Sequence, residues 1–187
     1  EDAIAALRSE GYYAYEVEPD VSDGEPAKAL VTIAPGRRFV LGDARIVWSS
    51  PAPDDQTQAA AAAALGLKPE TPARAAEILG GEGRLLAVVQ QRGYADAASG
   101  EREVIVDHAD FHVRPTFRIS SGALVHLGGL DLIAPGRTDP AWIVRLAPWK
   151  PRDVYSPGAL AELEQRLLDT GAYDSVTVAL APPEAAV

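Results

Sequence analysis

The chain has 187 residues, 47% of them apolar and 24% charged, an ordinary globular balance with room for two or three small modules. Its net charge of −10 argues against nucleic-acid and anionic-lipid partners, both of which need a cationic face. Without cysteine there is no disulfide, thiol chemistry or Cys-bound zinc, and no apolar run reaches the length of a membrane helix.

Glu1 and Asp2 are acidic where a secretory signal is basic, and no Met stands at position 1, so a processed form or a piece of a longer protein is expected. A first helix ends at Gly11. Two strands follow, Tyr13 to Val17 and Ala29 to Ile33, joined through Asp23-Gly24. Asp20, Asp23 and Glu25 loosely suggest a calcium loop, but the ligand spacing is wrong and a hairpin turn is expected. Phe39 to Trp48 is rich in β-branched and aromatic residues and predicts a strand. Pro51 to Asp55 breaks it, with Asp54-Asp55 suited to a helix N-terminus. Ala59 to Leu65 predicts a helix closed by Gly66.

Thr71-Pro72 predicts an N-cap and a first helical position. Ile78, Leu79, Leu85, Leu86 and Val89 continue that helix at helical spacing. Gly80, Gly81 and Gly83 each weaken it by about 1 kcal/mol against Ala and predict close packing of the helix on the sheet, or a kink. After Gly93, Glu103 to Asp107 predicts one strand. Phe111, Val113, Phe117 and Ile119 alternate with His112, Arg114, Thr116 and Arg118, which predicts a second strand buried on one face. Then come a strand over Val125 to Ile133 and a short helix over Ala141 to Leu146. A helix capped by Ser156-Pro157 and lined by Leu160, Leu163 and Leu167 runs to Gly171. A strand over Ser175 to Leu180 closes the series.

These elements repeat. Helices run into Gly11-Tyr12, Gly93-Tyr94 and Gly171-Ala172-Tyr173, with the glycines 82 and 78 residues apart. Pro35-Gly36-Arg37-Arg38-Phe39-Val40-Leu41-Gly42 matches Ser121-Gly122-Ala123-Leu124-Val125-His126-Leu127-Gly128 at a spacing of 86. The unit is strand, helix, helix, strand, strand. One complete copy is expected over residues 37–121. Residues 1–36 would be the C-terminal part of a first copy, and residues 122–187 a third copy lacking its last strand.

Nothing in the pattern assembles a catalytic or metal site. No G-x-S-x-G elbow, Walker A or G-x-G-x-x-G stretch is present. His108 and His112 have i, i+4 spacing, but on a turn and strand, where the two rings do not converge. His126 stands alone. Trp48, Trp142 and Trp149 are expected in packing. The reading is therefore non-enzymatic, with no cofactor and no metal.

The repeated Gly-Tyr helix end and the Pro-Gly-x-x-aromatic-x-x-Gly link resemble POTRA domains, the periplasmic modules of outer-membrane β-barrel assembly and translocation factors. The three-unit arrangement is most similar to that of TamA-type subunits of the translocation and assembly module. Ser121 in place of the link proline, and Ala172 between Gly171 and Tyr173, depart from the pattern. The resemblance implies an α+β fold of tandem units, each a small mixed sheet covered on one face by two helices. It also implies the periplasmic arm of an outer-membrane protein whose own barrel lies outside this chain. That arm would bind unfolded outer-membrane protein clients and a TamB-like, periplasm-spanning inner-membrane partner. A two-partner secretion transporter and an accessory array of an enzyme are the alternatives.

A sheet edge carries unpaired N–H and C=O groups, to which an extended client can add a strand. The expected partner-binding residues are the strands after two of the Gly-Tyr helices. They are Glu103, Val104, Ile105 and Val106 in one, and Ser175, Val176, Thr177 and Val178 in the other.

Overall fold

A computed structural model of the chain describes residues 2–21, 29–133 and 138–181. The expected turn at Asp23-Gly24, the acidic Glu25 and Pro182-Pro183 lie outside the described residues. α1 (Asp2–Ser9) leads into a two-stranded antiparallel hairpin, β1 (Glu16–Val21) with β2 (Ala29–Ala34).

The centre of the chain is a five-stranded mixed sheet under two helices. Its strands are β3 (Val40–Leu41), β4 (Arg45–Trp48), β5 (Ala98–Ser99), β6 (Glu103–Asp107) and β7 (His112–Ser120). Each of the other four pairs with β7. β3 and β4 run parallel along one side, and β5 and β6 antiparallel along the other. The helices are α2 (Asp55–Leu65) and α3 (Ala75–Gln91). The alternation along β7 behaves as expected: Val113, Pro115, Phe117 and Ile119 are buried, while His112, Arg114 and Thr116 are half-buried and Arg118 is exposed.

The expected strand over Phe39 to Trp48 is two strands. Gly42, Asp43 and Ala44 lie between β3 and β4 opposite only Arg114 and Pro115, so the parallel ladder is interrupted there. Gly42 N–H and Ser49 N–H donate to Val113 O and Ile119 O at 2.9 and 2.8 Å. The odd-numbered backbone groups of β7 therefore face β3 and β4. Pro115 has no N–H to offer, and it occupies the one position on that side where the ladder is broken.

α2 is closed as its sequence predicts. Asp54 accepts from Thr57 N–H at 2.9 Å and from the Thr57 hydroxyl at 2.6 Å, and Gly66 ends the helix at φ +64. α3 begins later than expected. Thr71 and Ala73 pair with the link instead of opening the helix: Leu41 N–H donates to Thr71 O at 2.7 Å, and Ala73 N–H to Phe39 O at 3.0 Å. A non-local ladder has overridden the local N-cap signal. The glycines do not bring the helix onto the sheet as expected: Gly81 alone makes a close backbone approach, and it is to α2, where a Cβ would lie 2.8 Å from Leu65 O.

The connection from helix end to link recurs in detail. Gly11 O accepts Phe39 N–H at 2.8 Å, and 82 residues on, Gly93 O accepts Val125 N–H at 2.9 Å. The link next pairs with the loop before the following helix. Leu127 N–H donates to Asp153 O at 2.8 Å and Tyr155 N–H to Val125 O at 2.9 Å, as Leu41 and Ala73 do with Thr71 and Phe39. Glu70 and Arg152 both hold left-handed conformations, φ +64 and +75, at matching points of the two loops. Gly93 is required twice over: its φ is +102, and a Cβ would lie 2.3 Å from Val154 Cγ1. Glu10 braces the first connection, its carboxylate reaching Arg38 at 2.7 Å and Arg74 at 3.0 Å. At the second, Leu124 and Val154 crowd Gly93 instead.

The last part holds α4 (Pro140–Arg145), capped by Asp139, and α5 (Pro157–Asp169), where Ser156 stands at the N-cap position without a side-chain capping bond; Gly171 is left-handed after α5. Ile143, Leu163 and Leu167 form its buried centre, separate from the central core. Two strand expectations fail here. Val125 to Ile133 forms only one isolated bridge, His126 with Val154, and Ser175 to Leu180 lies in no ladder. A strand needs a partner along its length, and neither segment has one among the described residues. The alternation survives without the ladder: Tyr173, Val176 and Val178 pack against the Leu163 cluster, while Ser175 and Thr177 are exposed.

Leu163 is 1% exposed. Leu163→Ala is expected to cost about 2–5 kcal/mol. Denaturant unfolding followed through Trp142 and Trp149, which pack on the same cluster, measures it. A loss below about 0.5 kcal/mol would contradict the packing described.

Candidate functional site

β6 is an edge strand: its sole ladder partner among the described residues is β7. Gly100 N–H donates to Arg118 O at 2.8 Å, so the even-numbered backbone groups of β7 face β5 and β6. In the antiparallel register Glu103, Ile105 and Asp107 stand opposite Thr116, Arg114 and His112. Those three residues therefore turn their N–H groups inward to β7. Val104 and Val106 turn theirs outward.

The side chains of β6 divide the other way, across the sheet. Val106 packs on the central core, and Val104 on the same face is 39% exposed at the rim. Ile105 is 53% exposed on the helix-free face. Apart from Val47 on β4, the rest of that face is polar. Glu103 pairs with Arg118 at 3.3 Å, and Asp107 with Arg114 at 3.2 Å. On the helix side, Arg102 pairs with the nearly buried Glu82 of α3, which pins α3 beside the start of β6.

The other predicted segment is placed differently. Ser175, Val176, Thr177 and Val178 form no strand, and Val178 N–H is taken by Glu164 Oε1 at 2.7 Å. The two predicted segments thus do not come together as one surface type. Sequence reasoning missed a second edge. Among the described residues β4 also pairs only with β7, and its side chains alternate between exposed and half-buried. Its signal, Arg45-Ile46-Val47-Trp48, was legible as a strand, but its place at an edge is a property of the topology.

The histidines do not form a centre. His108 packs edge-on against Phe39 with ring centroids 5.1 Å apart, and His126 sits in the bridge to Val154. No group of three metal-ligating side chains occurs among the described residues. His112 is more than a solvated strand residue. Its Nε2 lies 2.9 Å from Glu70 Oε1, and its Nδ1 2.9 Å from Asp110 O. Both partners are acceptors, so the ring with both nitrogens protonated satisfies them best. The Glu70 hydrogen bond, followed by Asp110, raises the His112 pKa above its usual 6.5. The Arg114 hydrogen bond holds Asp110 below the ordinary carboxylate range.

No protein-family model matches the sequence, and no curated protein does. Solved structures do match. POTRA units 3 to 5 of Haemophilus influenzae BamA superpose with a TM-score of 0.62 at 17% identity, covering 97% of this chain and 72% of that one. BamA from Haemophilus ducreyi lacking POTRA domains 1–3 superposes with a TM-score of 0.63 at 17% identity over 79% of this chain. The fold is that of POTRA domains. The α+β layering expected of such units, a mixed sheet under two helices, is what the central part displays. The match covers 27% of the Haemophilus ducreyi chain.

A raised folded-state pKa means the His112–Glu70 contact adds stability fully below pH 6.5. That contribution fades as pH rises through the folded value. His112 is expected to titrate above 6.5 by NMR, and Glu70→Gln to bring it back toward 6.5. A wild-type value at or below 6.5 would contradict the contact.

Proposed function

We propose that this chain is a periplasmic POTRA arm of an outer-membrane barrel assembly or translocation factor of the Omp85 type. It binds extended client polypeptides by strand addition and performs no covalent chemistry. The fold match and the repeated sequence motifs support the family. The free β6 edge carries the mechanism: Val104 and Val106 present outward backbone donors and acceptors beside a short polar face.

The units divide at residues 1–36, 37–121 and 122–187. Two separate buried cores and two matching connections support that division. Within the family, the Gly-Tyr helix ends and the Pro-Gly link support a TamA-type arm with a TamB-like partner. Clients would be unfolded outer-membrane proteins. Glu103, Val104, Ile105 and Val106 form the principal docking strand, and Ser175, Val176, Thr177 and Val178 a secondary extended segment.

Affinity should be low. Backbone pairing to four or five residues must offset the entropy of ordering a flexible peptide, which places Kd in about the micromolar to millimolar range. Substitution by proline tests the edge. Ile105 is the wrong position, because its N–H is used by β7 and its loss would break the ladder. Val104→Pro removes an outward N–H on an edge strand and leaves the inward bonds of its neighbours. Extended peptides from an outer-membrane barrel are expected to shift amides of β6 in wild type and to lose that effect in Val104→Pro, with the remaining amides unmoved. Peptide shifts confined to a helix face in both proteins would refute strand addition at β6.

A further inference from the structure

The link that leads from the first part of the chain into β3 is gripped from both sides by a residue in a left-handed conformation. On one side Phe111, at φ +62, accepts Val40 N–H at 3.0 Å through its carbonyl. On the other side Glu70, at φ +64, donates its N–H to Leu41 O at 2.9 Å, and Thr71 O accepts Leu41 N–H at 2.7 Å. Neither residue is glycine, so both conformations are costly and are held by their surroundings. His112 joins the two sides. Its Nε2 lies 2.9 Å from Glu70 Oε1, and its Nδ1 2.9 Å from Asp110 O in the turn that carries Phe111.

The clamp reaches the first part through an aromatic seat. Phe39 is fully buried, and its ring meets Tyr13 of the first part at 5.3 Å, Phe111 at 5.3 Å and His108 at 5.1 Å between centroids. Arg37 lies over the Phe111 ring, 4.4 Å from its centroid. A turn that lets go of Val40 therefore also loosens the seat of Tyr13. The last part has no such bridge among the described residues. There Arg152 stands in the place of Glu70, and its loop meets the link through backbone hydrogen bonds, with no histidine between two acceptors.

We propose that His112 is a protonation-operated latch on this clamp, fixing the first part against the central sheet when the ring is charged and easing it when the ring is neutral. Both ring nitrogens face acceptors. The imidazolium donates to both, whereas the neutral ring keeps one N–H and turns a lone pair toward the other acceptor. One side of the bridge is then given up. The charged groups around the ring favour the closed state. Glu70 on the loop before α3, Asp110 in the turn and Asp107 opposite on β6 outnumber Arg114 on β7, which itself pairs with Asp110 and Asp107. From the β3 side Gly42 approaches, a Cβ there lying 3.5 Å from His112 Cβ. The Glu70 hydrogen bond raises the His112 pKa above 6.5, so the clamp is closed below pH 6.5 and eases as pH rises through the folded value. The latch needs no client and is independent of binding at β6.

Amide hydrogen exchange of the full chain from about pH 5 to about pH 8 tests the latch, each amide being referred to its intrinsic rate at that pH. Val40 and Leu41 are expected to lose protection as pH rises, with a midpoint that matches the His112 ring titration followed by NMR. The loss approaches about tenfold for each pH unit between the His112 pKa values of the closed and the eased clamp. Leu127, at the matching place in the last part, and Ser49, bonded to Ile119 O in the central sheet, should keep their protection. His112→Gln removes the titration and should hold Val40 and Leu41 at their high-pH protection throughout. Glu70→Gln, a change at an exposed side chain, should lower the midpoint together with the His112 pKa. His108→Phe preserves an aromatic edge against Phe39 and should leave the pH dependence in place. Constant protection of Val40 and Leu41 across the range, or a loss shared equally by Leu127 and Ser49, would overturn the proposal. So would a pH dependence that survives His112→Gln, one that disappears in His108→Phe, or a midpoint unmoved by Glu70→Gln.

Discussion

Every ladder hydrogen bond of the central sheet runs through β7. Its odd-numbered backbone groups serve β3 and β4, and its even-numbered groups serve β5 and β6. The odd residues also carry the buried side chains, so one strand fixes both the sheet and the core. Pro115 fits this arrangement because its missing donor falls at the interruption between β3 and β4. A proline in the middle of a sheet ordinarily removes a bond; here the partner strand has already left the ladder. A sheet built around one strand has an edge on each side, and both edges follow from that plan.

The recurring connection from helix end to link is also mainly a backbone device. A glycine at the end of a helix accepts the N–H of the next link. That link is then clamped by the loop ahead of the following helix. Backbone hydrogen bonds are indifferent to side-chain identity, so the geometry recurs while the surrounding side chains change from the Glu10–Arg38–Arg74 cluster to Leu124 and Val154. Glu70 and Arg152 share a left-handed conformation that neither residue type favours, which places the requirement in the loop and not in the side chain.

The parts legible in the sequence were those governed by local chemistry. Asp54 and Gly66 mark the limits of α2. Gly93 marks the turn after α3, and the alternation from Val113 to Ile119 marks a half-buried strand. Expectations failed where a distant partner decided the outcome. Thr71 was committed to the link and could not open α3. The run from Phe39 to Trp48 was divided by its mismatch with Arg114 and Pro115. Ser175 to Leu180 kept its alternation but had no strand to pair with. The β6 segment was readable, but which of its N–H groups face outward was not, because that depends on register with β7. The β4 edge was invisible for the same reason.

The alanine run in α2 has a consequence beyond helix propensity. From Ala59 to Ala64, only Ala61 is fully buried. Alanine stabilises the helix without projecting bulk toward the sheet rim, so α2 is held by Leu65, Thr57 and its contact with Gly81 rather than by side chains reaching over β4. Larger residues at Ala59 and Ala62 would cover Ile46 and Trp48. The same low-bulk sequence that makes a strong helix therefore leaves one edge of the sheet open beside an apolar recess. The other edge is braced by a charged pair. Two edges of one sheet thus differ in how they are covered, although both follow from the single central strand.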